Sequence, residues 1–254
     1  MIFRIKNFPK IYAVKIRIRE FKNLLKTLFY LFLIRTPQNL IYNFIKNFMK
    51  HSRLKKKINN NYSPKKNYLF TDNDWFFEKL PLFIDFFETN NDIRNRVKKV
   101  LEIGSYEGRS SVFFLEYFNL SSLTAVDTWE GSPEHDEKIK IKMGTVEDNF
   151  DHNVNSFKNV IKNKTTSDIF FMNNKNTYDL ILIDGSHKGT QVVKDLENSF
   201  KYLKKEGYIL SDDYDYTFYD LNNNVAKAFN NFFIKNKNQI KIVYIYRQVL
   251  IQKV

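Results

Sequence analysis

The stretch "VLEIGSYEGRSS", residues 100–111, joins an apolar run to an acidic residue, a turn with a glycine at each end, and a series of small residues. The apolar run predicts a buried strand, and the pattern that follows predicts a helix over residues 108–118. Gly104 and Gly108 suit a tight turn whose backbone approaches a neighbouring group closely. This strand, turn and helix form the first unit of an α/β fold.

Strand and helix patterns alternate from Trp75 onward, beginning with a helix at "DWFFEKLPLFIDFFETN". The predicted strands read "KKVLEIG", "SLTAVDT", a weak "NVI", "YDLILID", "GYILSDD", "QIKIVYIY" and "QVLIQKV". Further helices are predicted near residues 146–157, 189–204 and 219–235. Repeated β-α-β units predict a doubly wound, mostly parallel, seven-stranded sheet of Rossmann-like form, with helices on both faces.

The net charge of +13 is distributed unevenly along the chain. Residues 1–66 hold 17 basic residues and a single acidic one, Glu20, so their net charge is +16; the remainder has 24 basic and 27 acidic residues. The composition changes within "RLKKKINNNYSPKKN", a polar stretch that we interpret as a linker. We therefore predict a basic helical arm over residues 1–66 and a catalytic domain over residues 67–254.

The arm contains two amphipathic helix patterns with basic faces. Apolar residues recur at steps of three and four, first at Ile11, Val14, Ile18, Phe21, Leu25, Leu28 and Phe32, then at Leu40, Ile41, Phe44, Ile45 and Phe48. The alternation in "KIRIRE" leaves a strand open for part of the first segment. The helices either pack on the catalytic domain with a solvated basic face, or bind an anionic membrane surface or an acidic partner.

Composition also limits the location and the chemistry. The chain has no cysteine, which excludes disulfides and cysteine-bound metals and favours an intracellular location. Its apolar runs fall well short of the roughly 20 residues that a spanning helix needs. The expected location is therefore the cytoplasm, with the arm at the inner face of a membrane. The sequence gives no indication of the oligomeric state.

The turn after the first strand differs from a dinucleotide-binding turn. That fingerprint needs G-x-G-x-x-G, whereas here Tyr106 stands in place of the close-approach glycine between Gly104 and Gly108. Glu102, at the strand end, would repel a diphosphate and attract a cation such as S-adenosylmethionine, which carries an ammonium and a sulfonium. Asp127 ends the next strand, where an acid can accept both ribose hydroxyls. Together, the two acidic strand ends favour S-adenosylmethionine.

In these residues the chain resembles class I S-adenosylmethionine-dependent methyltransferases. The matching stretches are "LEIGSYEGRSS" for the cofactor loop and "AVDTWEGSPEH" for the acidic end of the second strand. The resemblance covers roughly residues 75–254. It implies a methionine site at Glu102, Gly104, Ser105 and Gly108, a ribose contact at Asp127 and an adenine contact at Trp129.

Three more aspartates follow two neighbouring strands. Asp184 ends "LILID", and Asp212 and Asp213 end "YILSDD". Carboxylates at adjacent strand ends repel one another unless a positive charge lies between them. A single aspartate here is more simply explained as a helix or turn cap, but the two motifs together favour a divalent ion such as Mg²⁺, which binds oxygen ligands.

These two motifs resemble those of metal-dependent O-methyltransferases, both the catechol type and the type that methylates sugars on natural products. The resemblance implies metal ligands at Asp184, Asp212 and Asp213, and a catalytic base at His187, three residues after Asp184. It also assigns Asp184 to the catalytic pair with His187 and to the cofactor site. A histidine can deprotonate a hydroxyl near neutral pH. His135, in "GSPEH", is a weaker candidate.

The expected reaction is methyl transfer from S-adenosylmethionine to a hydroxyl of a small molecule or glycan, with a sugar hydroxyl as the first choice of acceptor. Two alternatives remain open. An RNA methyltransferase would use the basic arm to hold phosphates, but the catalytic part has a net negative charge, which makes nucleic acid an unfavourable partner. A non-catalytic binding protein would keep the fold without the acidic residues, all of which are present.

Overall fold

The computed structural model describes residues 8–58, 68–70, 74–131, 137–216 and 221–254. His135 lies outside these ranges. The N-terminal part forms α1 (Phe8–Leu33), α2 (Gln38–Ile58), a 3-10 turn (Phe77–Lys79), α3 (Pro81–Thr89) and α4 (Asn91–Arg96). The alternation in "KIRIRE" therefore belongs to a helix and not to a strand.

The remaining elements alternate between strands and helices. They are β1 (Lys99–Ile103), α5 (Arg109–Tyr117), β2 (Ser122–Asp127), α6 (Glu137–Val154), β3 (Val160–Lys164), α7 (Ser167–Asn173), β4 (Tyr178–Ile183), α8 (Gly189–Tyr202), β5 (Leu203–Ser211), α9 (Val225–Asn236), β6 (Ile240–Ile245) and β7 (Val249–Lys253).

The seven strands form one sheet in the order β3-β2-β1-β4-β5-β7-β6. The first five strands in this order pair in parallel, whereas β7 pairs antiparallel with both β5 and β6. The direction of winding changes between β1 and β4, where doubly wound sheets leave a crevice for ligands. The prediction of a doubly wound, mostly parallel, seven-stranded sheet is confirmed.

Alternate residues of the strands supply two cores, one on each face of the sheet. On one face, Ile181 and Ile183 of β4 pack with buried side chains of α1, α2, α8 and α9. On the other, Leu180 and Leu182 pack with α3, α5 and α6. This period of two explains why the central strands are apolar throughout, since both of their faces are covered.

Several boundaries differ from the sequence-based expectation. The single helix predicted at Trp75 is divided, because Pro81 occupies the first turn of α3 and leaves the residues before it in a 3-10 turn. The short helices α4 and α7 were not predicted. The N-cap of α7 is Thr166, whose hydroxyl accepts a hydrogen bond from the Ile169 amide at 3.3 Å.

The second arm helix packs against the catalytic part of the chain. Its buried Leu40 and Phe44 belong to the same core as the central strands. At its polar positions, Asn47 Nδ2 donates to the Ile245 carbonyl at 3.3 Å, and Lys50 forms an ion pair with Asp85 at 2.6 Å. Packing on the catalytic domain was one of the two roles expected for the arm.

In the part of the chain that the structure describes, no helix combines the length and the apolar composition that crossing a membrane would require.

The packing of α2 can be tested by truncating one buried and one exposed aromatic residue of the same helix. Phe44→Ala should lower the free energy of unfolding by about 3–5 kcal/mol, because it leaves a cavity in the core shared with the sheet. Tyr42→Ala, on the exposed face, should change it by less than about 0.5 kcal/mol. Urea denaturation measures both. Equal, small effects would show that α2 does not contribute to the core.

Candidate active site

The strand register places three of the candidate segments side by side. The amide of Asp184, directly after β4, donates to the Ile103 carbonyl at the end of β1 at 2.8 Å. The amide of Asp212, directly after β5, donates to the Ile183 carbonyl at 2.9 Å. Loops that leave β1, β4 and β5 therefore start at one level, on the edge of the sheet where its winding reverses.

The loop after β1 is shaped by three residues with left-handed backbone. Gly104 has φ +87°, Tyr106 has φ +48° and Gly108 has φ +78°. A Cβ on Gly104 would lie 2.1 Å from the Asp184 carbonyl oxygen, so only glycine fits there. Tyr106 takes the conformation that a glycine would adopt more easily, and the loop keeps its turn without the usual central glycine.

Asp127 fixes this loop to the end of β2. Its Oδ2 accepts hydrogen bonds from the amides of Ser105 at 2.8 Å and Tyr106 at 2.9 Å, and its Oδ1 accepts one from the amide of Trp129 at 2.8 Å. A carboxylate offers about four acceptor positions, so capacity for another donor remains. Asp127 also lines the cavity described below, which is compatible with the ribose contact predicted for it.

Glu102 has a different position from the one predicted. Its side chain is fully buried beneath the loop and does not line the cavity. The hydroxyls of Ser105 and Ser111 donate to its Oε2. Burial raises the pKa of Glu102 to about 7, although these hydroxyls oppose the shift. Glu102 therefore ties the loop to the first turn of α5 and does not reach a methionine moiety directly.

Trp129 lies behind the loop, and Gly108 ends the loop at the N-cap of α5. The Trp129 ring is buried, its centroid is 4.9 Å from that of Phe150, and its Nε1 donates to the Tyr106 carbonyl at 2.9 Å. A Cβ on Gly108 would lie 3.0 Å from the Phe150 ring. Neither residue lines the cavity. The Trp129 indole nitrogen supports the loop backbone, and the adenine contact predicted for this residue stays a prediction.

A buried lysine lies between two of the predicted metal ligands. Lys79, in the 3-10 turn, places its Nζ 2.7 Å from Asp212 Oδ2 and 2.7 Å from Asp213 Oδ1. Burial alone would lower the pKa of Lys79, but the charges of Asp212, Asp213 and Asp184 outweigh it and raise that pKa. The ammonium is the positive charge that adjacent strand-end carboxylates require.

Asp213 connects this lysine to the predicted base. Its other oxygen, Oδ2, lies 2.7 Å from His187 Nε2, and its backbone is left-handed with φ +58°. Burial would raise the pKa of Asp213, but Lys79 and His187 hold that pKa below its usual range. Asp184, half-buried beside them, has its pKa raised by burial and by the charge of Asp212. Asp213 is therefore the carboxylate that stays ionised next to the imidazole.

The predicted metal set fits this geometry poorly. Asp212 uses Oδ2 for Lys79 and Oδ1 for the amide of Asp213, which donates to it at 2.7 Å; its side chain does not line the cavity. Among the described residues, the group whose ligand atoms lie within 4.8 Å of one another is Asp184, His187 and Asp213. A metal there would have two carboxylates and an imidazole, and it would compete with Lys79 for Asp213.

A cavity of about 940 Å³ joins the loop and the acidic cluster. This volume is near the upper end of the range for small-molecule sites, so it can hold a cofactor and an acceptor together. Of the predicted site residues, the described part of its wall contains Gly104, Ser105, Asp127, Asp184, His187 and Asp213.

Sequence reasoning missed several residues of the cavity wall. At the β3 end these are Thr166, Ser167, Asp168, Gln191 and Asp195, and at the opposite end they include Trp75, Lys79, Tyr216 and Arg247. Gln191 Nε2 donates to Asp168 Oδ1 at 3.0 Å, which joins α8 to α7. The polar run "TTSD" after β3 was the signal for the first group. For Lys79, the signal was the one basic residue amid "WFFEKLPLF".

Residues 101–214 match a family model described as a methyltransferase domain. An uncharacterised protein of Acanthamoeba polyphaga mimivirus is 30% identical over 119 residues, which cover 45% of this chain and 50% of the viral protein. The chain thus spans about half the length of that relative.

Solved structures with a similar fold come from enzymes with different acceptors. The O-methyltransferase TomG from Streptomyces achromogenes, in complex with S-adenosylmethionine, is 11% identical, with 66% of this chain and 78% of TomG covered and a TM-score of 0.49. The N-methyltransferase NodS from Bradyrhizobium japonicum is 13% identical (69% and 96% covered, TM-score 0.43). An rRNA methylase from Streptococcus thermophilus is 10% identical (65% and 95% covered, TM-score 0.46).

The sheet order and the loop at Gly104, held by Asp127, agree with the family match. Residues 101–214, which are less than half of the chain, are similar to a methyltransferase domain.

The raised pKa of Glu102 predicts a pH-dependent stability. Because the folded-state pKa is about 7 and the ordinary value is 4.5, the unfolded chain loses this proton first, and stability should fall as pH rises from about 5 to 8. The loss due to Glu102 should be about 3 kcal/mol. Glu102→Gln cannot ionise, so urea denaturation at both pH values should show a smaller loss in this variant. Identical losses in the two proteins would contradict a buried, protonatable Glu102.

Proposed function

We propose that this protein transfers a methyl group from S-adenosylmethionine to a hydroxyl of a small molecule or glycan. The observation that carries the proposal is the pair of His187 and Asp213, 2.7 Å apart, in the same cavity as the cofactor loop. An imidazole held by an ionised carboxylate is a suitable base for an alcohol or phenol near neutral pH.

Three features of the cavity, at the end formed by the loop after β1, support the binding of S-adenosylmethionine. Gly104 brings the backbone close to Asp184 without a side chain in the way, and Ser105 lines the wall beside it. Asp127 retains acceptor capacity for a ribose hydroxyl. S-adenosylmethionine, when bound, supplies an electrophilic methyl group and leaves as S-adenosylhomocysteine.

His187 and Asp213 would generate the nucleophile. His187 Nε2 lies at ion-pair distance from Asp213 Oδ2, so a proton on Nε2 would face the carboxylate, and Nδ1 would then be the ring nitrogen that accepts the hydroxyl proton of the acceptor. Asp213 stabilises the imidazolium that forms, as the carboxylate of a catalytic triad does. The oxygen that loses the proton forms the new bond to carbon, and the wall of the cavity orients it.

The cavity wall favours an uncharged, hydroxyl-bearing acceptor. The Trp75 and Tyr106 rings lie 5.8 Å apart between centroids, and the Tyr216 ring is 4.8 Å from the His187 ring. Aromatic faces beside carboxylates suit both sugars, which present apolar C–H faces and polar edges, and catechols, which stack. A sugar hydroxyl remains our first choice of acceptor.

The charges of the cavity wall do not favour RNA methylation, the alternative in which the basic arm would hold phosphates. Among the described residues that line the cavity, eight are acidic and four are basic, and two of the basic ones, Lys79 and Arg247, are already paired with carboxylates. A polyphosphate chain would meet net negative charge at the cavity mouth, whereas a cationic cofactor would be attracted. The divalent ion expected from the sequence at Asp184, Asp212 and Asp213 stays a prediction; the ligand atoms that the structure brings within 4.8 Å of one another are those of Asp184, His187 and Asp213.

Two substitutions should separate cofactor binding from chemistry. Asp127→Ala should weaken S-adenosylmethionine binding at least about tenfold, since it removes a charged acceptor. His187→Gln should leave that affinity unchanged and lower kcat by roughly 100-fold or more. Calorimetry measures the first effect, and S-adenosylhomocysteine release with a panel of catechols and glycosides measures the second. Exposed Asp151→Ala and His152→Gln are the matched controls.

Normal cofactor affinity in Asp127→Ala would contradict the ribose contact. Undiminished kcat in His187→Gln would rule out this histidine as the base.

A further inference from the structure

Among the described residues, Lys79 is the lysine in direct contact with the acidic cluster of Asp184, Asp212 and Asp213. It comes from a distant part of the sequence. It is 133 residues from Asp212 along the chain and 6% exposed. A lysine is seldom buried unless it is paired, and here it has two carboxylates at 2.7 Å. Both distances are those of charge-assisted hydrogen bonds, so the ammonium fills the space between the two oxygens.

The turn that carries Lys79 is held from two sides. His51 of α2 makes a hydrogen bond of 3.0 Å to the carbonyl oxygen of Glu78, and Arg247 Nη1 donates to Glu78 Oε2 at 3.3 Å. Phe76, on the other flank, is buried against the Phe113 ring. The position of the ammonium is therefore set by surrounding structure and not by the acids alone.

A divalent ion between Asp212 and Asp213 would have to displace this ammonium or lie within a few ångströms of it. Like charges repel strongly at that distance in a site shielded from water. Asp212 would also have to release the amide of Asp213, which its Oδ1 accepts at 2.7 Å. Two of the three acids that the sequence assigned to an ion, Asp212 and Asp213, are thus already paired with a cation of the chain itself.

We propose that Lys79 is the resident cation of this acidic cluster: it takes the place between Asp212 and Asp213 that the sequence assigned to a divalent ion, and it positions Asp213 for His187. The inference rests on the methyl transfer proposed above. Lys79 acts as a positioning residue, through a line of contacts from its ammonium to Asp213 and on to the imidazole. Methyl transfer then requires no bound metal.

Mn²⁺ binding tests this assignment independently of activity. Followed by electron paramagnetic resonance, wild-type protein should not bind Mn²⁺ at the cluster, and its turnover should persist in EDTA. Lys79→Met keeps the apolar stem of the side chain and removes its charge. This variant should therefore bind Mn²⁺ at least tenfold more tightly than the wild-type protein does. Lys162→Met is the matched control, because Lys162 bridges Asp151 and Glu147 at the surface; its gain should be much smaller.

Two results would overturn the proposal. One is Mn²⁺ binding by the wild-type protein that Asp184→Asn abolishes, since Asp184 belongs to both candidate metal sets; this measurement needs no Lys79 variant. The other is a folded Lys79→Met that binds S-adenosylmethionine and gains no Mn²⁺. If instead no variant and no wild-type protein binds S-adenosylmethionine by calorimetry, the proposed function itself fails.

An independent observation concerns the exposed side of α1 and α2. We call it the outer stripe: Phe21, Leu25, Phe29, Phe32 and Leu33 of α1, with Tyr42, Ile45 and Met49 of α2, all of which are exposed. The opposite sides of the same helices, at Leu24, Leu31, Leu40 and Phe44, are buried in the core. Each helix therefore has two apolar sides. One side packs in the core shared with the sheet, and the other is exposed to solvent.

The charged residues near the outer stripe indicate which kind of surface it would bind. Exposed basic side chains stand on the same two helices at Lys22, Lys26, Lys46 and Arg53, and in the turn between them at Arg35. Glu20 is the single acidic residue of residues 1–66. Aromatic and aliphatic side chains flanked by bases are typical of helices that lie in the headgroup region of anionic bilayers.

We infer that the outer stripe docks on an anionic lipid surface and holds the enzyme there. The aromatic side chains of α1 would enter the boundary between headgroups and acyl chains, while the bases contact lipid phosphates. The catalytic cavity does not include the outer stripe, so docking and methyl transfer use separate surfaces.

Co-sedimentation of the full chain with vesicles tests this docking. The protein should pellet with phosphatidylcholine vesicles that contain phosphatidylserine, and high salt should release it. Phe29→Ser with Phe32→Ser should abolish pelleting, and each of Lys22→Glu and Lys26→Glu should lower partitioning roughly fivefold or more. The matched control, Met172→Ser with Ile234→Ser, removes exposed apolar side chains elsewhere and should have no effect.

Failure to pellet with anionic vesicles would overturn the bilayer assignment. If sedimentation velocity then showed a dimer that Phe29→Ser with Phe32→Ser dissociates, the outer stripe would belong to a contact between two copies of the chain. Equal pelleting with pure phosphatidylcholine would overturn the role of the bases.

Discussion

The active site depends on the register of three parallel strands. Because β1, β4 and β5 end at one level, the residues that follow them, Gly104, Asp184 and Asp212, meet at the point where the sheet reverses its winding. The contact is close enough that Gly104 has no room for a side chain against Asp184. A shift of one residue in either strand pair would separate the cofactor loop from the acids and turn their side chains to the other face.

The second constraint is charge compensation within that arrangement. Three neighbouring aspartates, one buried and two half-buried, would destabilise the fold if no positive charge lay beside them. Lys79 on one side and His187 on the other leave Asp213 as the ionised member, while burial raises the pKa of Asp184 and Asp212. The same contacts thus neutralise the acids and orient the His187 imidazole.

The strands of the central sheet and the loops that follow them could be predicted from the sequence. Their apolar runs reflect burial on both faces, and an acid after such a run can be located without knowing what it meets. Asp127, Asp184 and Asp213 were found in this way, and His187 through the resemblance of the motif around Asp184; all four line the cavity.

Sequence patterns could not show which acids turn inward, because that depends on contacts between distant segments. Glu102 reads as a cofactor ligand, yet its neighbours Ser105 and Ser111 cover it. Trp129 also reads as a cofactor contact, yet its indole nitrogen donates to the loop backbone. Lys79 lies in an amphipathic segment where a lysine normally faces water, and its partners follow more than a hundred residues later. The division of the chain at residue 66 stays a prediction.

The hydrogen bond from His51 to the carbonyl of Glu78 joins the arm to the turn that carries Lys79. Burial lowers the pKa of His51 to about 4, so this imidazole is neutral at physiological pH and the link is insensitive to ordinary changes in acidity. The arm and the catalytic cluster therefore cannot be exchanged between relatives as independent modules. A homologue that lost α2 would need another support for its buried ammonium, and the two features should be inherited together.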